Sequence, residues 1–137
     1  MGGKIRGHAA QGSARIQAAA QATGKPAQLS YPVFCLRHLQ TGHDIEDLLA
    51  DDQAALIKRF RTLSKMEWGQ IEQAPRHGLG KENIAQTSIK RALPGVVTKD
   101  VKLWALRYAN NKPMVGFRNG AVFHVLWIDH SFDVYNH

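Results

Sequence analysis

The sequence predicts a small α+β domain in which an antiparallel sheet packs against a pair of helices. Three observations carry this. Lys102 to His137 reads as strand, turn, strand, turn, a longer strand and a short final strand, with apolar-rich runs set between turn residues. Asn110-Asn111 and Asn119-Gly120 fall between those runs, and both dipeptides tolerate the positive φ of a two-residue hairpin loop. Upstream, Gln53 to Lys65 sets Leu56, Phe60 and Leu63 on one helical face, with Ile57 and Met66 beside them.

Taken in order, residues 1–30 are rich in Ala, Gln and Gly. Arg15 to Thr23 has helical propensity but almost no large apolar residue to dock with, so the segment reads as a basic arm closed by Gly24-Lys25-Pro26. A single α+β domain is expected over 31–137. Tyr31 to Leu39 is β-branched and aromatic, which predicts a strand over Val33 to His38. Pro32 cannot donate to a ladder, so that strand belongs near an edge. Asp44 can cap a turn of helix through Leu49. Asp51 or Asp52 can cap the Gln53–Lys65 helix, whose Lys58, Arg59, Arg61 and Lys65 lie largely off the apolar face. Ser64 with Glu67 forms a capping-box pattern for a second short helix holding Trp68 and Ile71 and ending before Pro75. Residues 74–84, APRHGLGKENI, read as a shaped loop. Ser88 to Asp100 reads as a short extended segment and a connection into the sheet.

With two residues in each hairpin loop, Arg118 would pair with Ala121 and Arg107 with Met114. One sheet face would then carry Trp104, Leu106, Val115, Phe117, Val122, His124, Leu126 and Ile128. Being almost wholly apolar, it is the expected core, with His124 as a satisfied buried histidine. The other face would mix Arg107 and Arg118 with Met114, Gly116, Phe123, Val125 and Trp127. A cationic and aromatic surface of that kind suits a polyanion.

Composition narrows the function. The net charge is +7, and four of the 18 basic residues (Lys4, Arg6, Arg15 and Lys25) sit in residues 1–30 without an acid. This balance is consistent with nucleic acid or an acidic partner. The single cysteine, Cys35 within VFCL, excludes an intramolecular disulfide and reads as a small buried hydrophobe. No apolar run reaches the length of a membrane span, and no secretory leader pattern is present, so a cytoplasmic protein is expected.

Two polar concentrations could carry chemistry. Arg76, His77, Lys81 and Glu82 lie in the 74–84 loop, where a proton-transferring histidine, cationic phosphate clamps and an orienting carboxylate suit phosphodiester chemistry. Asp129, His130, Asp133, Tyr135 and His137 follow the last long strand. His130, Tyr135 and His137 could move protons or stack a base. Asp129, His130, Asp133 and His137 also have metal-ligating atoms, but their spacing matches no standard metal motif, so no metal or other cofactor is expected.

The order strand, helix pair, then three or four antiparallel strands resembles the RelE/ParE superfamily of toxin–antitoxin toxins, nearest its HigB-like and phage-encoded branch. The residues that carry the resemblance are LWALRYANNKPMVGFRNGAVFHVLWID, residues 103–129. The resemblance implies a twisted antiparallel sheet cupping a helical hairpin. It also implies metal-independent mRNA cleavage, often on the ribosome, and a cognate antitoxin protein as partner. Arg107 and Arg118 would hold the phosphate, and His130, Tyr135 or His137 would transfer protons or stack a base. Arg76, His77 and Lys81 have no counterpart in that family and are assigned to RNA contact from their own chemistry, with Trp127 as a stacking surface. The chain departs from the family in its long 75–100 connection and its basic arm. Because the ParE branch poisons gyrase instead, a second reading stands beside the first: a non-catalytic phage or mobile-element protein that engages a host protein or nucleic acid through the sheet face. A metal-dependent nuclease using residues 129–137 is the third.

Overall fold

The computed structural model describes residues 31–137. The arm and helix expected over residues 1–30 lie outside the described residues. Among the described residues, five strands form one sheet: β1 (Val33–Cys35), β2 (Lys81–Ile84), β3 (Leu103–Ala109), β4 (Lys112–Asn119) and β5 (Val122–Ile128), in the order β1-β5-β4-β3-β2. The β2–β3, β3–β4 and β4–β5 pairs are antiparallel, but β1 runs parallel to β5. The sheet is therefore mixed, not wholly antiparallel. Hairpins enforce antiparallel neighbours, whereas β1 and β5 are separated in the chain by both helices and by β2, β3 and β4, so no tight turn sets their direction and a parallel pairing is open to them. Strand β1 is an edge, as Pro32 requires, but shorter than expected.

Helix α1 spans Ala50–Ser64 and α2 spans Trp68–Gln73. Their caps differ from the expected ones. Leu49 precedes α1 without a side-chain cap, which puts Asp51 and Asp52 in the first turn, where carboxylates suit the helix dipole. Asp52 is turned inward to an ion pair with Lys112 at 2.8 Å. Glu67, not Ser64, caps α2, with Gln70 completing the capping box. The Ser64 hydroxyl instead donates to Phe60 O. Asp44 does cap the short 3₁₀ turn Ile45–Asp47. The 74–84 segment is only partly a loop, since its last four residues form edge strand β2.

The register corrects the assignment of faces. Asn110 and Asn111 both adopt positive φ, 47° and 64°, so the first hairpin has the expected loop, with Ala109 opposite Lys112. The ladder then slips by one residue at Tyr108, and Arg107 faces Pro113 instead of Met114. Pro113 has no N–H to give, and strands accommodate such a residue at a bulge. A one-residue slip moves every side chain of β3 to the other face relative to β4. In the second hairpin Asn119 stays in the strand, and Gly120 alone has positive φ. The pairs are Asn119–Val122 and Arg118–Phe123, not Arg118–Ala121. A second bulge, at Leu126, places Val115 opposite Trp127. Gly116 faces this region, where a Cβ would run into the His124 carbonyl.

Both faces of the sheet are consequently covered. On one, Trp104, Leu106, Tyr108, Met114, Phe123, Val125 and Ile128 pack against Leu56, Leu63, Trp68 and Ile71 of the helices. The buried Trp68 indole donates to Ala121 O at 2.9 Å, tying α2 to the β4–β5 turn. On the other, Leu103, Ala105, Val115, Phe117, Leu126 and Trp127 lie under Ile84, Val97, Val134 and Tyr135. The cover on this side is the 85–101 connection joined to the C-terminal tail. Ile89 bridges Tyr135, Lys90 N donates to Val134 O, and Asn136 N donates to Ser88 O. The short final strand reduces to that one bridge. Among the described residues no open cationic sheet face remains, and Arg107 and Arg118 point to opposite sides.

Candidate functional site

The tail-covered face ends in a polar cluster that draws on four parts of the chain. Residues alternate along β2, so Glu82 and Ile84 face the tail while Lys81 and Asn83 face the other way. Arg107, turned by the Tyr108 bulge, lies on the same side as Glu82. Its guanidinium donates to Glu82 Oε1 at 2.6 Å and to Tyr135 Oη at 2.9 Å. The Tyr135 hydroxyl in turn donates to Glu82 Oε1 at 3.3 Å. Arg76 approaches the second carboxylate oxygen, Oε2, at 3.7 Å. His137 lies over Tyr135 with ring centroids 4.2 Å apart, and its Nε2 is 3.8 Å from Asp129 Oδ2.

Burial is graded across this cluster. The Arg107 side chain is 8% exposed and that of Glu82 23%, whereas those of His137 and Arg76 are 34% and 60% exposed. Arg107 Nε has no hydrogen-bond partner among the described residues, so one buried donor of the fork is unused there. A buried donor without an acceptor is uncommon and costly. Burial raises the Tyr135 hydroxyl above its ordinary value; Arg107 opposes that shift and Glu82 adds to it. At neutral pH Tyr135 is therefore a proton donor, not a base.

Two further arrangements hold the cluster in place. Arg59 on α1 donates from the same nitrogen to Arg107 O at 2.6 Å and to Gly78 O at 3.2 Å. It thus fixes the bulged end of β3 and the loop that presents Arg76 and His77. The tail is fastened by two aspartates. Asp129, fully buried, accepts from the backbone N–H groups of Asp133 and Val134. Asp133 contacts His43 Nε2 at 2.9 Å and Arg91 at 2.5 Å. The His43 hydrogen bond holds Asp133 well below the usual carboxylate range; Ser131 and Arg91 assist and partial burial opposes. His43, Asp129 and Asp133 bring ligand atoms within 4.8 Å of one another. Those carboxylates are already committed to backbone donors, His43 and Arg91, so the group reads as a fastening.

The sequence-derived candidates thus divide. Arg107, Tyr135, His137 and Arg76 come together. His77 is exposed and accepts a long, 3.4 Å contact from Arg76 Nε. Lys81 lies on the helix side, its Nζ 4.5 Å from the Trp104 ring centroid. Arg118 is also on that side, 4.7 Å from the Trp68 ring centroid and 3.6 Å from Glu72, with the sheet between it and Arg107. His130 contacts Gly42 O at 3.2 Å beside His43, away from Tyr135. Trp127 is 1% exposed and has no free ring face for a base. His124 is partly exposed and its Nδ1 has no partner among the described residues, so it is not the satisfied core histidine expected; burial and nearby His38 lower its pKa. Cys35 is a free, half-buried thiol.

Sequence reasoning gave Glu82 as an orienting carboxylate in the 74–84 loop but missed its pairing with Arg107 and Tyr135 and the supports from Arg59, Asp129 and Asp133. The alternation Glu82–Ile84 and the pair Tyr135–His137 at i and i+2 hold a trace of the first, since each pair shares a side of an extended segment. No helix among the described residues is long and apolar enough to cross a membrane. No protein-family model, curated protein sequence or solved structure matches this chain.

Proposed function

We propose that this chain is a metal-independent endoribonuclease of RelE-like fold, the toxin of a toxin–antitoxin pair, with its site at Glu82, Arg107, Tyr135 and His137. The observation that carries the reading is that a carboxylate, a buried guanidinium and a phenol lie within 2.6–3.3 Å of one another beneath an accessible imidazole. That set meets the needs of RNA self-cleavage. The Glu82 carboxylate takes the proton from a ribose 2′-hydroxyl, and the 2′-oxygen attacks the adjacent phosphorus. Arg107, with Arg76 at the rim, neutralises charge on the phosphoryl oxygens. His137 gives a proton to the departing 5′-oxygen as the P–O5′ bond breaks, with Tyr135 as a neutral donor beside it. The products are a 2′,3′-cyclic phosphate and a 5′-hydroxyl.

Induction in a bacterial host, with growth and mRNA integrity followed over minutes, tests the toxin reading. Rapid arrest with mRNA cleavage is expected. Purified protein is expected to cut RNA in the presence of a chelator. Glu82→Gln and His137→Ala should each lower the rate by about 10²–10⁴-fold with the fold kept. Unchanged cleavage by both variants would remove this site from the mechanism. One observation favours a second reading, a non-catalytic phage or mobile-element binding protein: Arg107 is nearly buried and already paired, as in a structural ion pair. Free expression of the chain with intact RNA would select it.

A further inference from the structure

A basic groove on the helix side of the β2 edge lies apart from the Glu82 cluster and gathers Lys81 with Lys99 and Lys102. It has a volume of about 980 Å³ and runs from Lys81 and Asn83 on β2 to Lys99 and Lys102 on the connection into β3. A second concavity of about 550 Å³ shares Val101, Lys102 and Trp104 with it and continues to Phe117, Arg118 and Asn119 on β4. Lysines stand on both walls of the first part. Lys81 is held in place, its ammonium over the Trp104 ring and donating to Asn83 Oδ1 at 2.9 Å. Lys99 and Lys102 are exposed and make no ion pair among the described residues. The acids on these walls are Glu72, which faces Arg118, and Asp100, which accepts from Thr98. The groove is thus net cationic, and its free charges are the lysines.

We propose that this groove binds the phosphate backbone of single-stranded RNA. Three features favour that occupant. The cations line a channel, which suits a charge repeated along a strand. Lysines act on phosphate as point charges and need no bidentate geometry, which suits a backbone read without sequence preference. Finally, Lys81 and Glu82 are consecutive on an edge strand and point to opposite sides of it. A strand lying in the groove and crossing that edge is delivered to the Glu82 cluster. The proposal rests on the cleavage reading for its direction of travel, but its binding does not require cleavage.

The test is fluorescence anisotropy of the full chain with a fluorescein-labelled single-stranded oligoribonucleotide methylated at every 2′-oxygen, which can bind but not be cut. Each phosphate-bound cation contributes a slope of about −0.7 in log affinity against log salt. Between about 50 and 200 mM salt, Lys99→Ala/Lys102→Ala should therefore lose about sevenfold less affinity than the parent chain, and it should bind more weakly at the lower salt. Both lysines are exposed, so the fold is expected to persist, and circular dichroism checks it. Glu82→Gln should bind the probe at least as well as the parent while losing cleavage of unmodified RNA. Parental affinity and salt slope in the lysine variant would overturn the groove and leave the Glu82 site standing. Lysine-dependent binding with no cleavage by any form would uphold the groove and remove the nuclease reading. Binding of a labelled polyglutamate but not the oligoribonucleotide would overturn the proposal in favour of an acidic protein partner.

Discussion

The two faces of the sheet are built on different principles. The helix-covered face is closed by Leu56, Leu63, Trp68 and Ile71, with Trp68 packed edge-on against Trp104 at 5.9 Å. The buried Trp68 indole anchors a turn, and the ion pairs Asp52–Lys112 and Glu72–Arg118 join the helices to β4 at the margin of this apolar packing. The tail-covered face has an apolar centre around Trp127 and Val134, but its end is polar and its cover is held by charged groups: Arg107 donates to Tyr135, and Asp133 pairs with His43 and Arg91. Apolar packing is non-directional and tolerant of orientation. Charge-assisted hydrogen bonds fix an orientation but lose far more when one partner is removed. The groups proposed to act on a phosphate need defined directions, and they lie on the second face.

The largest effect that would test this contrast is on the second face. Arg107→Met removes the guanidinium but leaves Glu82 and Tyr135 in place. Breaking a buried pair at one partner typically costs about 3–5 kcal/mol. We expect that loss in urea unfolding, together with loss of RNA cleavage. Arg107→Met/Glu82→Gln should recover part of the stability without the activity, because the stranded carboxylate is gone. If the single variant is as stable as the parent, the cluster is not the buried ion pair described above.

A smaller effect, on stability alone, is expected on the first face. Leu63 is fully buried against the sheet, and Leu63→Ala should cost about 2–5 kcal/mol through lost transfer energy and the remaining cavity. At a temperature where both proteins are folded, its cleavage rate should match the parent within about twofold, since Leu63 touches none of the site. A hundredfold loss of rate in a fully folded Leu63→Ala protein would mean that the faces are coupled, and the contrast between them would fail.

How much of this could be read beforehand follows the same division. Local signals were legible. The 3.6-residue period of Leu56, Phe60 and Leu63, the Asn110-Asn111 loop, the edge position announced by Pro32 and the end of α2 before Pro75 all appear in the structure. What was lost depends on single residues that shift a ladder. The regular two-residue-loop register that pairs Arg107 with Met114 takes no account of Pro113, whose missing N–H the Tyr108 bulge accommodates. That one-residue slip reassigned the faces and separated Arg107 from Arg118. The bulge at Leu126 likewise exchanged the faces of Trp127 and Ile128 at the end of β5. The site suffered most because its members are distant in sequence. Glu82 meets Arg107 across 25 positions and Tyr135 across 53. No local pattern encodes such meetings; they follow from the strand order and from β2 lying beside β3.

The smallest expected effect concerns the fastening of the tail. The folded pKa of Asp133 is depressed, chiefly by the hydrogen bond with His43. Its stabilising contribution is therefore fully present above the unfolded carboxylate value of about 3.9 and is lost as pH falls from there through the lower folded value. The carboxylate is 43% exposed, so solvent screening limits the contribution to about 1 kcal/mol or less. Asp133→Asn should lower the melting temperature by a few degrees near pH 6, and that difference should close as the comparison moves below about pH 4. The cost of Leu63→Ala, which involves no titrating group, should not change over the same range. A difference for Asp133→Asn that persists undiminished at low pH would show that its shape, not its charge, holds the tail. The tail-covered face would then be closed by the same kind of packing as the helix-covered one.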